Sequence, residues 1–450
     1  DRFSHPRDSL HNRRMTNTGI LAASALLLFA YAIEHLGRRF KLPAVVLLIG
    51  AGLAARQILD SLDLHFHWVD PVVPVLGTLG LILIVLEGAL DLTVTRQRAH
   101  VMLAAAASSL LGFCLTLGAF AILFVVVMKL SVAAAMLAAI PFAVISSAVA
   151  IPSASTLPAQ PREFVVYESS LSDILGVLVF YSWLGANGSL EAFAADLFGG
   201  GAQSPVAALL AAIALIYYIN QITGDVRFLP LLAGLVLLYA VGKELHLSPL
   251  IVVLVCGLLI NNPHLVTWHS ALRNFQTPQY EETLSSFKAL VAELTFACKS
   301  FFFLLLGYWT EVSEMLSVEA WLIAIAGISF ILFSRYAILA LLRRKAIAQL
   351  VWIAPRGLIT VLLFLSARRT GELQDFPFGS VMLVVLVTSA LLIVVVCAMN
   401  YAGLRLSGRV QLVLAAVLAA LMVVTVVIAL PHARFDAVGP LLPNGWGGVV

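Results

Sequence analysis

The sequence predicts an all-α, polytopic membrane protein, and three observations lead to this fold class. The chain of 450 residues is 61% hydrophobic and only 11% charged, far below the roughly 25% charge of an average soluble domain. Its mean hydropathy is +1.01. Apolar segments long enough to cross about 30 Å of hydrocarbon follow one another from Gly19 to Leu430. No polar interval is long enough for a soluble domain, so the function falls to the membrane bundle or to partner proteins.

Breaking the apolar segments at charged residues and at Pro/Gly clusters predicts about fourteen membrane-spanning helices. They begin near residues 19, 42, 71, 100, 131, 164, 205, 228, 248, 284, 318, 346, 376 and 411. We therefore expect a tail over residues 1–18, a transmembrane domain over residues 19–405, and an additional transmembrane helix with a C-terminal tail over residues 406–450.

Two of these spans are interrupted by residues that disturb a helix. The twelfth span carries Pro355–Gly357 in the sequence VWIAPRGLITVLLFL. The fifth span, IPFAVISSAVAIPSASTLP, carries Ser146, Ser147, Pro152 and Ser153. A proline removes a backbone donor, and unpaired backbone groups in hydrocarbon cost several kcal/mol unless they are buried in protein or hydrated. Broken helices in two halves of a chain indicate an inverted-repeat transporter with its site at the breaks, although two ordinary proline kinks remain the alternative.

The sixth span places an acid deep in the membrane. Asp173 lies nine residues after Phe164 in the segment YESSLSDILGVLVF, which is about 14 Å along a helix and near the bilayer midplane. An aspartate at that depth costs about 3 kcal/mol on insertion, so it indicates a functional site. Burial favours the neutral acid and a bound cation favours the carboxylate, so Asp173 is suited to exchange a proton for a metal ion. A structural carboxyl group satisfied by neighbouring hydroxyls is the alternative.

Helix geometry separates the two acids of this span. Ser169 stands four residues before Asp173 and on its face, whereas Glu168 points about 140° away. Glu168 therefore needs a basic partner, because an unpaired buried charge is strongly destabilising. The basic candidates inside spans are Lys299, Arg335 and Arg356, each as an ion-pair anchor or as a side chain that extends to the interface. Glu87 lies near the end of the third span, where a structural or interfacial role is the simpler expectation.

Four motifs in this order resemble the monovalent cation/proton antiporter superfamily, in particular its sodium/proton exchanger branch. E-S-S-L-S-D over residues 168–173 resembles the family's E-S-L-L-N-D on the sixth span. The other three are LGLILIVLEGALDL (79–92) for the third span, TFACKSFFFLLLG (295–307) for the tenth and APRGLI (354–359) for the crossing of the twelfth. The resemblance covers about residues 19–405. It implies an inverted-repeat cation/proton antiporter fold with two crossed, broken helices and about thirteen or fourteen transmembrane helices.

Carried over by position, the resemblance implies a role for each candidate residue. Asp173 becomes the carboxylate that binds the transported cation and the proton, and Glu168 pairs with Arg335 as a structural ion pair. The expected further oxygen donors are Ser172, Ser169, Ser146 and Ser147. The expected additional charges of the core are Lys299, Arg356 and Glu87.

The same resemblance implies an organisation and a set of partners. Helices near residues 100–188 and 318–404 are expected to form a moving core, and the remainder a scaffold through which a homodimer assembles. The expected transported ions are Na⁺ or K⁺ and H⁺, and the expected physiological role is in pH homeostasis. We expect a multi-pass protein of a cell membrane, which in bacteria is the inner membrane. We expect no cofactor and no nucleic-acid partner.

Three departures from the family pattern bear on the ion. The family's fifth span commonly shows T-D-P in its break, and this chain has Ser146, Ser147 and Ala148 with no acid. The residue before the transport aspartate is commonly Asn or Asp and is here Ser172. The additional helix near residue 411 exceeds the thirteen expected. Fewer preset oxygens favour a weakly dehydrated ion such as K⁺, or a shell that water completes. A single transport carboxylate favours electroneutral, one-for-one exchange.

Other function classes fit less well. The sequence contains no H-E-x-x-H helix, no G-x-S-x-G turn and no phosphate-binding Walker loop, so an enzyme or an ATP-driven pump is not indicated. The scattered acids do not supply the charged ring of a channel. The serious alternative is an inverted-repeat secondary transporter of a small organic anion, with Arg356 as the anion-binding residue.

Overall fold

A computed structural model describes residues 24–33, 35, 44–61, 73–154, 157–186, 188–195, 197, 201–221, 228–244, 249–265, 278–342, 350–369, 371, 373 and 376–401. The predicted tail over residues 1–18 and the additional helix within residues 406–450 lie outside them. Throughout these ranges the regular structure is helical, which confirms the predicted all-α fold.

The helices are numbered here in chain order. They are α1 (Ser24–Ile33), α2 (Ala44–Ser61), α3 (Val73–Asp91), α4 (Ala99–Val126), α5 (Val132–Ala143), α6 (Ser147–Ser153), α7 (Ala159–Gly185), α8 (Leu190–Ala194), α9 (Gly201–Gln221), α10 (Phe228–Glu244), α11 (Pro249–Asn261), α12 (Pro278–Trp309), α13 (Val312–Met315), α14 (Val318–Leu342), α15 (Leu358–Arg369) and α16 (Phe378–Tyr401).

Five stretches within the described ranges are long and apolar enough to cross a membrane, and shorter apolar helices accompany them. The five are Ala99–Val126, Val132–Ile151, Ala159–Gly185, Tyr280–Trp309 and Val318–Leu342. Some predicted boundaries were wrong: α7 begins at Ala159 rather than near residue 164, and α12 at Pro278 rather than near residue 284. The first turns of both helices are polar, because they extend the helix beyond the apolar stretch that hydropathy detects.

The helices pack in two groups. The first consists of α4, α5, α6, α7, α14, α15 and α16, which contact one another. The second consists of α2, α3, α9, α10, α11 and α12. The two groups meet chiefly where α3 and α11 contact α7 and where α12 contacts α15. The first group contains both interrupted spans and Asp173.

The fifth span is interrupted at Ser146 and the two residues before it. Helix α5 ends at Ala143, residues 144–146 are non-helical, and α6 begins at Ser147. Pro152, which we took as a marker of the break, lies inside α6 instead. The break follows Pro141 in the last turn of α5, and it is stable there because its amides find partners outside the helix, as described below.

The twelfth span is also interrupted where the proline and glycine stand. Residues 353–357 are non-helical and α15 begins at Leu358. Residues 343–349 lie outside the described ranges, so a first half-helix for this span stays a prediction.

An aromatic cluster fixes the end of α5 within the first group. The ring of Phe142 stacks on Phe120 of α4 with ring centroids 4.8 Å apart. Phe124 and Phe376 pack against the same ring edge-on or tilted. These rings are buried, and aromatic pairs of this kind contribute about 0.5–1.5 kcal/mol beyond the area they bury. The cluster therefore anchors the helix end from which the first break departs.

Candidate functional site

The first break is held by three successive backbone amides. Ile145 N donates to Ser172 Oγ at 2.8 Å, and Ser146 N donates to the Pro355 carbonyl oxygen at 3.0 Å. Buried amides that leave a helix must find such partners. The sixth and twelfth spans thus supply the acceptors that allow the fifth span to open.

The third amide reaches the predicted transport carboxylate. Ser147 N donates to Asp173 Oδ2 at 3.0 Å. Asp173 is only 6% exposed. Its second oxygen, Oδ1, is buried and accepts no hydrogen bond from any residue that the structure describes. One oxygen is therefore oriented by the break, and the other is available to a proton or a cation.

Glycine permits the two breaks to touch. A Cβ at Gly357 would lie 2.3 Å from Ser146 Oγ and 2.8 Å from Ser146 Cβ. A Cβ at Gly176 of α7 would lie 2.1 Å from Val144 Cγ2. Both glycines are needed for this close approach, because a Cβ at either position would lie closer to its neighbour than side chains tolerate. Asp173 therefore lies on α7 within one turn of the point where the breaks meet.

Arg356 carries the positive charge of the crossing. Its guanidinium donates to the Phe142 carbonyl oxygen at 2.6 Å and to the Ala354 carbonyl oxygen at 3.0 Å, and the side chain is 2% exposed. The C-terminal end of α5 carries partial negative charge and unpaired carbonyl groups. Arg356 compensates that end, and no carboxylate of the described residues pairs with it.

Sequence reasoning missed the residues that hold Arg356 in place. Its amide donates to Thr388 Oγ1 at 3.1 Å, and its carbonyl oxygen accepts from Ser389 Oγ at 3.5 Å. Both belong to α16. The adjacent hydroxyl residues in the apolar segment VLVTSALL were the available signal. The Phe142 carbonyl group could not be predicted from the sequence, because every residue has a backbone carbonyl group.

The structure brings Glu168 and Arg335 together. Arg335 Nη1 donates to Glu168 Oε1, the Ser108 hydroxyl donates to the same oxygen, and all three side chains are buried. Arg335 Nε also donates to the Leu350 carbonyl oxygen at 3.2 Å. The pair thus links α4, α7 and α14 to the segment that precedes the second break. Ser108 was missed, although its place beside Ser109 in an apolar helix was visible.

Glu87 and Lys299 form a second ion pair outside the crossing. Lys299 Nζ lies 2.5 Å from Glu87 Oε2, joining α12 to α3. The side chains are 17% and 27% exposed respectively. Both residues stand on helices of the second group.

The predicted oxygen donors differ in what they contact. Ser172 and Ser146 stand at the break, and Ser147 contacts Asp173 directly. Ser169 Oγ donates to the Val165 carbonyl oxygen of its own helix at 2.7 Å. Among the described residues no three His, Cys, Asp or Glu side chains gather as a resident metal site would require.

The chain was compared with known families and structures. A family model described as "Sodium/hydrogen exchanger, transmembrane" matches residues 24–430. No curated protein sequence matches the chain. The structure is similar to that of the sodium proton antiporter MjNhaP1 from Methanocaldococcus jannaschii at pH 8, with a TM-score of 0.68, 19% identity, and 86% of this chain and 97% of that chain covered.

A second structure of the same antiporter, from an electron-microscopy map, gives a TM-score of 0.64 at 19% identity, covering 86% of this chain and 96% of that chain. These likenesses confirm the antiporter fold that the motifs predicted. The family resemblance of the four motifs is confirmed by the match over most of the chain.

Proposed function

Because this chain belongs to the sodium/hydrogen exchanger family, we propose that it exchanges a monovalent cation for protons and that the two ions compete for Asp173. The protein is a multi-pass membrane protein of that family. One observation carries the proposal: Asp173 is buried, with one carboxylate oxygen held by the Ser147 amide and the other without a hydrogen bond from the described residues.

The two loaded forms of the carrier follow from this geometry. In one form a proton sits on Asp173 and the carboxyl group is neutral. In the other a cation neutralises the carboxylate, and the proton has left to the solution on the side that is open. An empty, charged carboxylate in a buried site is costly, so it does not readily cross between the two sides. Transport of one ion thereby requires return of the other.

The remaining oxygens for the cation are few. Ser147 contacts Asp173 through its backbone amide, and Ser172 Oγ already accepts the hydrogen bond of the Ile145 amide. Backbone carbonyl groups of the breaks and water complete the shell in our proposal. A site with so few fixed ligands suits Na⁺ or K⁺ that keeps part of its hydration, and we propose K⁺ as a transported ion beside Na⁺.

The charge of the crossing supports electroneutral exchange. Arg356 is a guanidinium, which stays charged in proteins, and the α5 carbonyl end holds it in place. Glu168 is paired with Arg335. Asp173 is then the group at the crossing whose charge changes, so one cation replaces one proton.

The two helical groups suggest how access alternates. We propose that the group containing α4–α7 and α14–α16 moves relative to the group containing α2, α3 and α9–α12. The second group would form the homodimer contact. The ion pair of Glu168 and Arg335 would travel with the moving group as a rigid unit, since it joins only helices of that group.

An organic anion finds less support. It would require Arg356 as its binding residue. The Arg356 guanidinium is instead committed to two carbonyl oxygens and is almost completely buried.

The proposal is tested with purified protein in proteoliposomes that contain a pH-sensitive dye. Addition of Na⁺, K⁺ or Li⁺ to the outside should move protons with the wild-type protein and not with Asp173→Asn, which keeps the shape of the side chain but cannot bind a cation by charge. Ser182→Ala, at a buried serine nine residues further along α7, is the matched control and should transport normally. Unchanged exchange by Asp173→Asn would refute the proposal.

A further inference from the structure

We propose that Glu87 and Lys299 are positioning residues for transport, an inference that rests on the ion exchange proposed above. They form a charge-balanced pair on the facing helices α3 and α12, and the balance sets the affinity of Asp173 for both of its ions. Neither residue touches the cation or the proton in this proposal.

The pair lies at the depth of Asp173. Tyr167 of α7 donates its hydroxyl to the Thr93 carbonyl oxygen, just past α3, at 2.7 Å. Two spans, α4 and the α5–α6 pair, separate α3 from α7, so α3 and α7 cross the membrane in opposite directions. Glu87 lies six residues before Thr93 and Asp173 six residues after Tyr167. Measured along the helix axes from the Tyr167–Thr93 hydrogen bond, Glu87 and Asp173 therefore both lie about 9 Å further into the bundle.

The pair is close enough to act on Asp173. Glu87 stands on α3, which packs against α7, and among the described residues Lys299 and Glu87 act electrostatically on Asp173 with opposite signs. Their ammonium and carboxylate groups are 2.5 Å apart and mostly shielded from solvent. Charges in such a partly buried place are screened much less than charges at the surface.

Two further charges lie close to the pair. Asp91, four residues after Glu87 on α3, interacts with Glu87, Lys288 and Lys299, and Lys288 interacts with Asp91; both residues stay unchanged in the variants described below. Glu168 pairs with Arg335. Arg356 faces the α5 carbonyl end. The half-helices α5 and α6 contain no charged residue, so nothing on them offsets a change at Glu87 or Lys299.

Removing one member of the pair has a defined consequence. H⁺ and an alkali cation both carry one positive charge, so a changed potential at Asp173 alters both affinities by the same factor. Lys299→Gln leaves the Glu87 carboxylate uncompensated and strengthens the binding of both ions. Glu87→Gln leaves the Lys299 ammonium uncompensated and weakens the binding of both.

The test measures exchange in proteoliposomes as a function of pH and Na⁺. At subsaturating Na⁺ the acid limb of the activity profile should shift up by about one pH unit in Lys299→Gln and down by a similar amount in Glu87→Gln. At alkaline pH the apparent KM for Na⁺ should fall about ten-fold in the first variant and rise about ten-fold in the second. The double variant and Lys299→Arg should both return close to wild type.

A merely structural pair would behave differently. It would lose activity or stability in both single variants and in the double variant, without opposite pH shifts, and that result would overturn the inference. The matched control is the exposed pair Arg98–Glu163, 3.5 Å apart, whose glutamine variants should not move the profile. If Asp173→Asn still exchanges ions, the proposed function itself fails. If Asp173→Asn is inactive but the single variants show no opposite shifts, only the role of Glu87 and Lys299 is rejected.

Discussion

At the scale of single residues, the buried acids of the bundle differ in their hydrogen-bond partners. Asp173 keeps one oxygen free of hydrogen bonds from the described residues. Glu168, five residues earlier on the same helix, is engaged by both Arg335 and Ser108. We therefore propose different tasks for the two acids of this short motif. Glu168 holds helices together, and Asp173 changes its charge. The 140° that separates them on the helix makes this division possible.

The buried pair leads to a stability prediction. Glu168→Gln leaves the Arg335 guanidinium buried without its carboxylate, which should lower the free energy of unfolding by about 3–5 kcal/mol. The double variant Glu168→Gln, Arg335→Met should recover part of that loss, because no charge remains uncompensated. Thermal unfolding in detergent measures both.

The exposed pair Arg98–Glu163 provides the control. Its side chains are 47% and 32% exposed, so Glu163→Gln should cost about 0–1 kcal/mol. Equal losses for Glu168→Gln and Glu163→Gln would show that the buried pair has no special structural role.

At the scale of elements, each break depends on groups that other spans supply. The amides of residues 145–147 are satisfied by Ser172, by the Pro355 carbonyl oxygen and by Asp173. Arg356 in turn fills the carbonyl end of α5. Each break thus supplies a hydrogen-bond partner to the other, which explains why the two interrupted spans lie side by side.

The contact between the breaks leads to a second prediction. Gly357→Ala places a methyl group within 2.3 Å of Ser146 Oγ, so the breaks must separate and cation-driven proton movement should fall at least ten-fold. Gly118→Ala, in α4 where a Cβ meets nothing within 4 Å, should be neutral or slightly stabilising. Adding Ser146→Gly to Gly357→Ala removes the clashing atoms and should restore the thermal stability. Normal exchange by Gly357→Ala alone would contradict the contact.

The sequence predicted the elements better than their junctions. Hydropathy predicted the spans, because a continuous segment of about twenty apolar residues is typical of a helix that crosses the membrane. Hydropathy alone does not show the first break, since the helix opens at residues 144–146, which are mostly apolar; Ser146 and Ser147 were the residues that marked it, whereas Pro152 lies inside α6. Backbone partners such as the Pro355 and Phe142 carbonyl groups leave no trace in residue types. The hydroxyl groups of Thr388 and Ser389 did leave one, which the sequence-based prediction did not use.

At the scale of the whole molecule, we propose electroneutral transport, because Glu168 is paired with Arg335 and Arg356 is held by the α5 carbonyl end. In this proposal Asp173 is the group whose charge changes. The membrane potential should therefore not move the equilibrium. With a K⁺ ionophore used to impose the potential, the Na⁺ gradient at which proton flux stops should be the same at zero and at −100 mV. A shift of that gradient with potential would show that unequal charges are exchanged.

The central claim is that one carboxylate holds either ion but never both, and proton release on cation binding tests it most directly. Purified protein in detergent, in weakly buffered solution near the midpoint of its pH profile, is titrated with Na⁺ while the released protons are counted with a pH indicator. The account predicts that the wild-type protein releases protons in a saturable manner, approaching one per chain, and that Asp173→Asn releases none. Cation binding without proton release, or equal release by Asp173→Asn, would contradict it.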